Sequence, residues 1–158
     1  MTQLSKLLFA GVYLACATVS ANAQSPASGP THGNWQVICP NDEKCRMAQT
    51  IQAKSSKISI VRMRVFKSAK PTAVFTFPLG IRLNTGWSFR IDRSKETLLP
   101  FELCNTDGCH AGINLTPRLL RSLRRGNTLT LRITDASGKP VRPALSLDGF
   151  TKAYKALK

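Results

Sequence analysis

Residues 100–115 read PFELCNTDGCHAGINL. Cys104 and Cys109 bracket four turn-forming residues, Asn-Thr-Asp-Gly, and Gly108 can take a left-handed conformation at no steric cost. The flanks, 101–103 and 110–115, read as two short strands. A hairpin with a four-residue loop places Cys104 opposite Cys109. Facing residues of an antiparallel pair lie about 4.5–5.5 Å apart at Cα, which overlaps the span of a disulfide. Turn, register and crosslink then specify one another. The stretch speaks for an antiparallel β fold in an oxidising compartment and offers no catalyst.

The N-terminus agrees with export. Lys6 supplies a positive start, 7–19 is a mostly apolar run, and Ala21-Asn22-Ala23 is a small-x-small cleavage site. Residues 1–23 therefore read as a secretory signal peptide, too short and wrongly flanked for a membrane anchor. Leu14-Ala15-Cys16 is a loose lipoprotein-like alternative, with bulky Tyr13 against it. Residues 24–32 contain a Pro/Ser/Gly-rich leader, expected to be disordered. Residues 33–158 are one domain's worth of chain.

Removing Cys16 with the signal leaves Cys39, Cys45, Cys104 and Cys109. An even number in an exported chain points to disulfides, with three connectivities open. In the chain-entropy model a local bridge contributes about 2 kcal/mol and a long-range one about 4 kcal/mol. Energy favours the long bridge. Geometry favours Cys39–Cys45 and Cys104–Cys109, because both spacings fit a hairpin or tight loop. Zinc would want C-x2-C spacing, whereas the chain has C-x5-C and C-x4-C with few spare ligands, so neither metal nor cofactor is expected.

Residues 34–39, NWQVIC, alternate around Trp35 and Val37, and 45–53 resumes as a strand. In 57–66, KISIVRMRVF, Val61, Met63 and Val65 alternate with Arg62 and Arg64, giving one buried face and one cationic face. Further strands are expected at 72–77, 97–103, 127–134 and 141–147, the last at an edge because of Pro140 and Pro143. Residues 81–83 and 87–91 read as a hairpin around Asn84-Thr85-Gly86. One helix interrupts: Thr116 caps it, Pro117 opens it, Leu119, Leu120 and Leu123 form its apolar stripe, and Gly126 stops it. Residues 148–157 read as a short C-terminal helix with Phe150, Tyr154 and Leu157 on one side. The expected fold is an all-β, single-domain, immunoglobulin-like sandwich of short antiparallel strands.

The chain carries 23 Lys and Arg against eight acids, a formal net charge of +15, and only Lys6 of these lies in the signal. Such a balance favours anionic partners and does not predict a fold. Arg118, Arg121, Arg124 and Arg125 on the helix are the candidate anion-binding residues, with Arg62, Arg64 and Arg132 elsewhere, by forked hydrogen bonds to phosphate or sulfate; the plain alternative is a solvated face. Nucleic acid fits poorly, because the basic residues are not interleaved with exposed aromatics. Catalysis finds no footing. There is no G-x-S-x-G and no H-E-x-x-H, His110 stands alone in a strand, and the acids are scattered, with nothing in the sequence to favour a pair such as Glu96 and Glu102.

Taken in order, G-x-W-x-V-x-C at 33–39, Cys45 and Gln49, P-L-G at 78–80, P-F-x-x-C at 100–104, G-C-x-A at 108–111, the leucine helix ending in Gly126, and S-L-x-G-F at 146–150 resemble the invasion-associated locus B (IalB) family of small exported bacterial proteins. The resemblance runs from Gly33 nearly to the C-terminus. It implies a periplasmic or surface-associated β-sandwich, a protein partner in the envelope or host, and in some pathogens a link to host-cell entry. It carries no catalytic residues.

Overall fold

A computed structural model describes residues 27–40, 44–53 and 59–157. The signal segment and residues 24–26, 41–43, 54–58 and 158 lie outside the described residues.

Alternation decides the larger sheet. In β4 (Ser59–Phe66), Val61, Met63 and Val65 are fully buried, whereas Arg62 is exposed and Arg64 half-buried. β5 (Thr72–Phe77) follows the same rule with Ala73, Phe75 and Phe77 inward. With β1 (Ala27–His32), β2 (Trp35–Cys39), β3 (Arg46–Gln52), β8 (Leu103–Asn105) and β9 (Gly108–Asn114), these form a seven-stranded antiparallel sheet in the order β1-β2-β3-β4-β5-β9-β8.

The smaller sheet is built on β10 (Thr128–Thr134), which pairs with β6 (Trp87–Ile91) on one side and with β11 (Pro140–Val141) and β12 (Ala144–Ser146) on the other. β7 (Thr97–Leu99) closes its far edge against β6. The two sheets share one core. Trp87 of the small sheet packs against Phe75 and Phe77 of the large one, with ring centroids 4.8 and 5.4 Å apart. Leu129, Leu131, Ile133 and Leu145 complete it from the small sheet. The chain is a β-sandwich with two short helices, α1 (Pro117–Arg125) and α2 (Phe150–Ala156).

Both helices start as their sequences direct. The Thr116 hydroxyl accepts from the Leu119 N–H at 3.2 Å, and Pro117 occupies the first turn. Gly126 ends α1 with φ −77°, outside the left-handed region. Its glycine is required by packing: a Cβ there would sit 2.5 Å from Ile91 Cγ2. α2 buries Phe150 and Tyr154, with Leu157 just beyond its end, and Phe150 meets Trp35 edge-on at 5.1 Å.

Four local expectations are corrected. Residues 27–32, placed in a disordered leader, form β1, joined to β2 through a Gly33-Asn34 turn. Main-chain pairing at a sheet edge supplies order that the Pro/Ser/Gly composition does not advertise. Residues 81–91 are not a hairpin: Leu83–Thr85 is a 3-10 turn, and Ile81 bridges to Asp135 instead. The strand expected over 97–103 is divided at Pro100, so that β7 belongs to one sheet and β8 to the other. Pro lacks the N–H a continuous ladder needs. The strand expected over 141–147 is likewise split into β11 and β12 around Arg142-Pro143.

Candidate functional site

Two short crosslinks frame the large sheet. Cys39, ending β2, is joined to Cys45, which precedes β3, with Cα atoms 4.2 Å apart. Cys104 and Cys109 face one another across β8 and β9, 4.0 Å apart at Cα, and are also joined. The connecting turn is tighter than its four residues suggested. Asn105 pairs with Gly108, leaving only Thr106 and Asp107 at the tip. Gly108 has φ 137°, and a Cβ there would collide with the Phe77 carbonyl, so no other residue fits.

The helix arginines divide into two groups. Arg118, Arg121 and Arg125 line a cleft of about 760 Å³ between α1 and the Ile91–Thr97 segment, where Lys95 adds a fourth cation. Asp92 is the carboxylate on that wall. Its oxygens are occupied: they accept from the Asn127 N–H at 3.1 Å and the Thr128 N–H at 2.9 Å. Arg124 points elsewhere. Its guanidinium lies 4.9 Å from the centroid of the Tyr154 ring, tying α1 to α2, and it borders a different recess with Asp148 and Lys152. Three of the four candidate arginines thus share one cationic surface, and the fourth braces the helix pair.

His110 lies on the outer face of the large sheet. Its Nε2 is 3.0 Å from Asn105 Oδ1, an oxygen that already accepts the Asp107 N–H at 2.9 Å. Nε2 therefore carries the proton. In the neutral ring Nδ1 then accepts from the Thr76 hydroxyl at 3.1 Å, and Thr76 Oγ1 in turn accepts from Arg64 Nη2 at 3.2 Å. One chain of hydrogen bonds runs from Arg64 to the disulfide-clipped turn. Its histidine is committed to structure at both ring nitrogens.

The polar side chains closest to the core do structural work too. Gln49 is 5% exposed, and its amide binds both main-chain atoms of Ser146: Oε1 accepts from the N–H and Nε2 donates to the C=O, each at 2.9 Å. Trp35 Nε1 donates to the same carbonyl at 3.0 Å. Gly149 completes the junction, since a Cβ on it would collide with the His32 carbonyl. Buried Ser88 donates to the Glu96 carboxylate. Glu102 lies apart from that pair, over Gly112, so Glu96 and Glu102 do not form a dyad. Among the described residues, no group of three or more His, Cys, Asp or Glu is placed to hold a metal.

The sequence names Trp35 as a strand anchor, and Gln49 and Ser146 only as parts of a motif, without announcing their common role. A signal was present. Gln49 occupies an inward position of β3 between Met47 and Ile51, where a polar residue must find a partner.

Comparison with known proteins places this architecture. Residues 35–158 match the family model described as Invasion associated locus B (IalB) protein. Two Invasion protein B homologs, from Brucella abortus strain 2308 and from Brucella abortus biovar 1 strain 9-941, are each 26% identical over 157 residues, covering 92% of this chain and 91% of theirs. The crystal structure of invasion associated protein b from Bartonella henselae superposes with a TM-score of 0.73 at 24% identity, covering 82% of this chain and 94% of that one. At that identity the superposition speaks to the fold.

Proposed function

Because the chain belongs to the invasion-associated locus B family, we propose that it is an exported envelope protein that acts by binding a partner and not by catalysis. The family match carries this reading. The tripartite N-terminal signal and two local disulfides support an address in the periplasm or at the cell surface. The relatives are named for invasion, which makes contact with a host cell the setting to test first. The test is fractionation of cells with protease shaving, followed by crosslinking in place. Recovery of the mature chain outside the cytoplasm, crosslinked to a discrete protein, is the expected result. A cytoplasmic chain, or an exported one with no crosslinked partner and no entry or envelope defect on deletion, overturns it.

A second reading is favoured by the cleft at Arg118, Arg121, Arg125 and Lys95. Four cations around one depression, with the lining carboxylate of Asp92 already hydrogen-bonded, suit an anionic polymer such as lipopolysaccharide or a sulfated glycan. Salt-sensitive retention on heparin, lost on charge reversal of the three arginines, tests it.

A further inference from the structure

We propose that Arg62 and Arg64, with Ser59, Thr76 and the edge of His110, form a second anion site: a small recess on the outer face of the seven-stranded sheet that takes one phosphate or sulfate group. It shares no lining residue with the helix cleft and does not depend on the function proposed above.

The recess has a volume of about 280 Å³ and is lined by Ser59, Arg62, Arg64, Thr76, Asp107 and His110, with Pro78 at its margin and Phe77 reaching it without its core-facing ring. That is room for a tetrahedral oxyanion and part of the group that carries it, not for a polymer chain. Arg62 and Arg64 are two residues apart on β4, so their side chains leave the same face with a spacing of about 7 Å. One group can lie between two guanidiniums so placed.

Three features make this a site and not a solvated face. First, Arg64 is held. Its Nη2 is anchored on Thr76, and Thr76 is anchored through His110 and Asn105 on the crosslinked hairpin, so the guanidinium is oriented before any ligand arrives. Second, Arg64 Nε is a buried donor with no acceptor among the described residues. Buried donors are almost always paired, and a small shift of the guanidinium toward an oxyanion in the recess would pair this one. Third, the local charge is positive. Burial, then Arg62, then Arg46 push the Arg64 guanidinium below its ordinary range, and Asp107 pushes the other way. Two guanidiniums against one carboxylate in the lining leave room for a single negative charge. A sulfate ester or a phosphodiester therefore suits the recess better than a dianion.

The test uses the mature, oxidised protein and NMR detection of backbone amides and arginine Nε–H groups. Methyl sulfate and dimethyl phosphate, each a monoanion, are titrated in one arm. In the other, phosphatidylglycerol is presented in phosphatidylcholine vesicles. The expected result is a saturable response at Arg62, Arg64, Ser59, Thr76 and His110, weakened at least tenfold in both R62Q and R64Q and unchanged in K70Q, at an exposed lysine outside both the recess and the helix cleft. Arg62 is exposed, so R62Q decides the matter if R64Q folds poorly. Local saturation by the free ions identifies a soluble anion or ester. Local saturation by the vesicles alone identifies a lipid headgroup. Shifts that do not saturate, that spread evenly over the basic surface, that persist in R62Q, or that are absent from both arms overturn the site.

Discussion

Gln49 grips the backbone of Ser146 at both of its polar atoms, with each hydrogen bond 2.9 Å long. The two residues are 97 positions apart and belong to different sheets. The Ser146 carbonyl has a second donor in Trp35, but its N–H has no acceptor other than Gln49 among the described residues. Q49L should therefore strand a buried N–H while leaving the carbonyl paired. The expected cost is about 2–3 kcal/mol, read as a lower urea midpoint with an unchanged slope. A loss within about 0.5 kcal/mol would mean that this amide does not help to join the sheets.

Asp92 is the one described residue other than glycine with positive φ, at 50°. It holds that conformation while its carboxylate accepts from the N–H groups of Asn127 and Thr128, where the chain leaves α1 and enters β10. D92A removes charge-assisted bonds and keeps the unfavourable backbone, so a loss of about 2 kcal/mol is expected. D92N keeps an acceptor and a side chain that tolerates this region, and should lose less than half as much. Equal losses in thermal or urea denaturation would show that charge, not geometry, governs the position.

The parts of the fold legible in the sequence are those that short-range pattern controls. Val61, Met63 and Val65 alternate with arginines, and Thr116-Pro117 opens a helix that Gly126 ends; each can be read within ten residues. What escaped depends on partners distant in the chain. Nothing in residues 27–32 announces a strand, because their order comes from pairing with β2. Arg64, Thr76 and His110 meet only because β4, β5 and β9 are neighbours in a particular register, with Arg62 opposite Thr76 and Thr76 opposite His110. Likewise, the helix arginines were visible as a group, but the division that sends Arg124 to Tyr154 required knowing where α2 packs.

Asp135 gives a pH dependence of definite sign. The Ser137 hydroxyl, bonded at 2.6 Å, and then the Lys139 N–H at 2.8 Å hold its carboxyl below the ordinary 3.8. A carboxylate whose value is depressed by folding contributes stability above its unfolded value, and that contribution disappears as pH falls through the folded one. The wild type should thus lose stability faster than D135N as pH falls below about 4, and the two should run parallel between pH 5 and 7. Parallel urea midpoints across the acid range would show that the Asp135 turn does not persist in solution.

The division of the helix arginines makes the sharpest forecast about the surface. Arg118, Arg121 and Arg125 open onto the cleft with Lys95, whereas Arg124 lies against Tyr154. Reversing the first three should lower the salt concentration that elutes the protein from heparin while barely moving its melting temperature, because exposed arginines contribute little to stability and the unfavourable new charge at Arg125, at the end of α1, is offset by the favourable one at Arg118 in its first turn. R124E should do the opposite. It forfeits a ring contact worth about 0.5–1 kcal/mol and brings its new charge close to the negative end of α1, so the melting temperature falls by a few degrees. Its elution should shift by no more than about a third of the triple variant's shift, the share of one charge reversal in three. If R124E matches the triple variant on the column, the retained surface is diffuse charge and the cleft is not its centre.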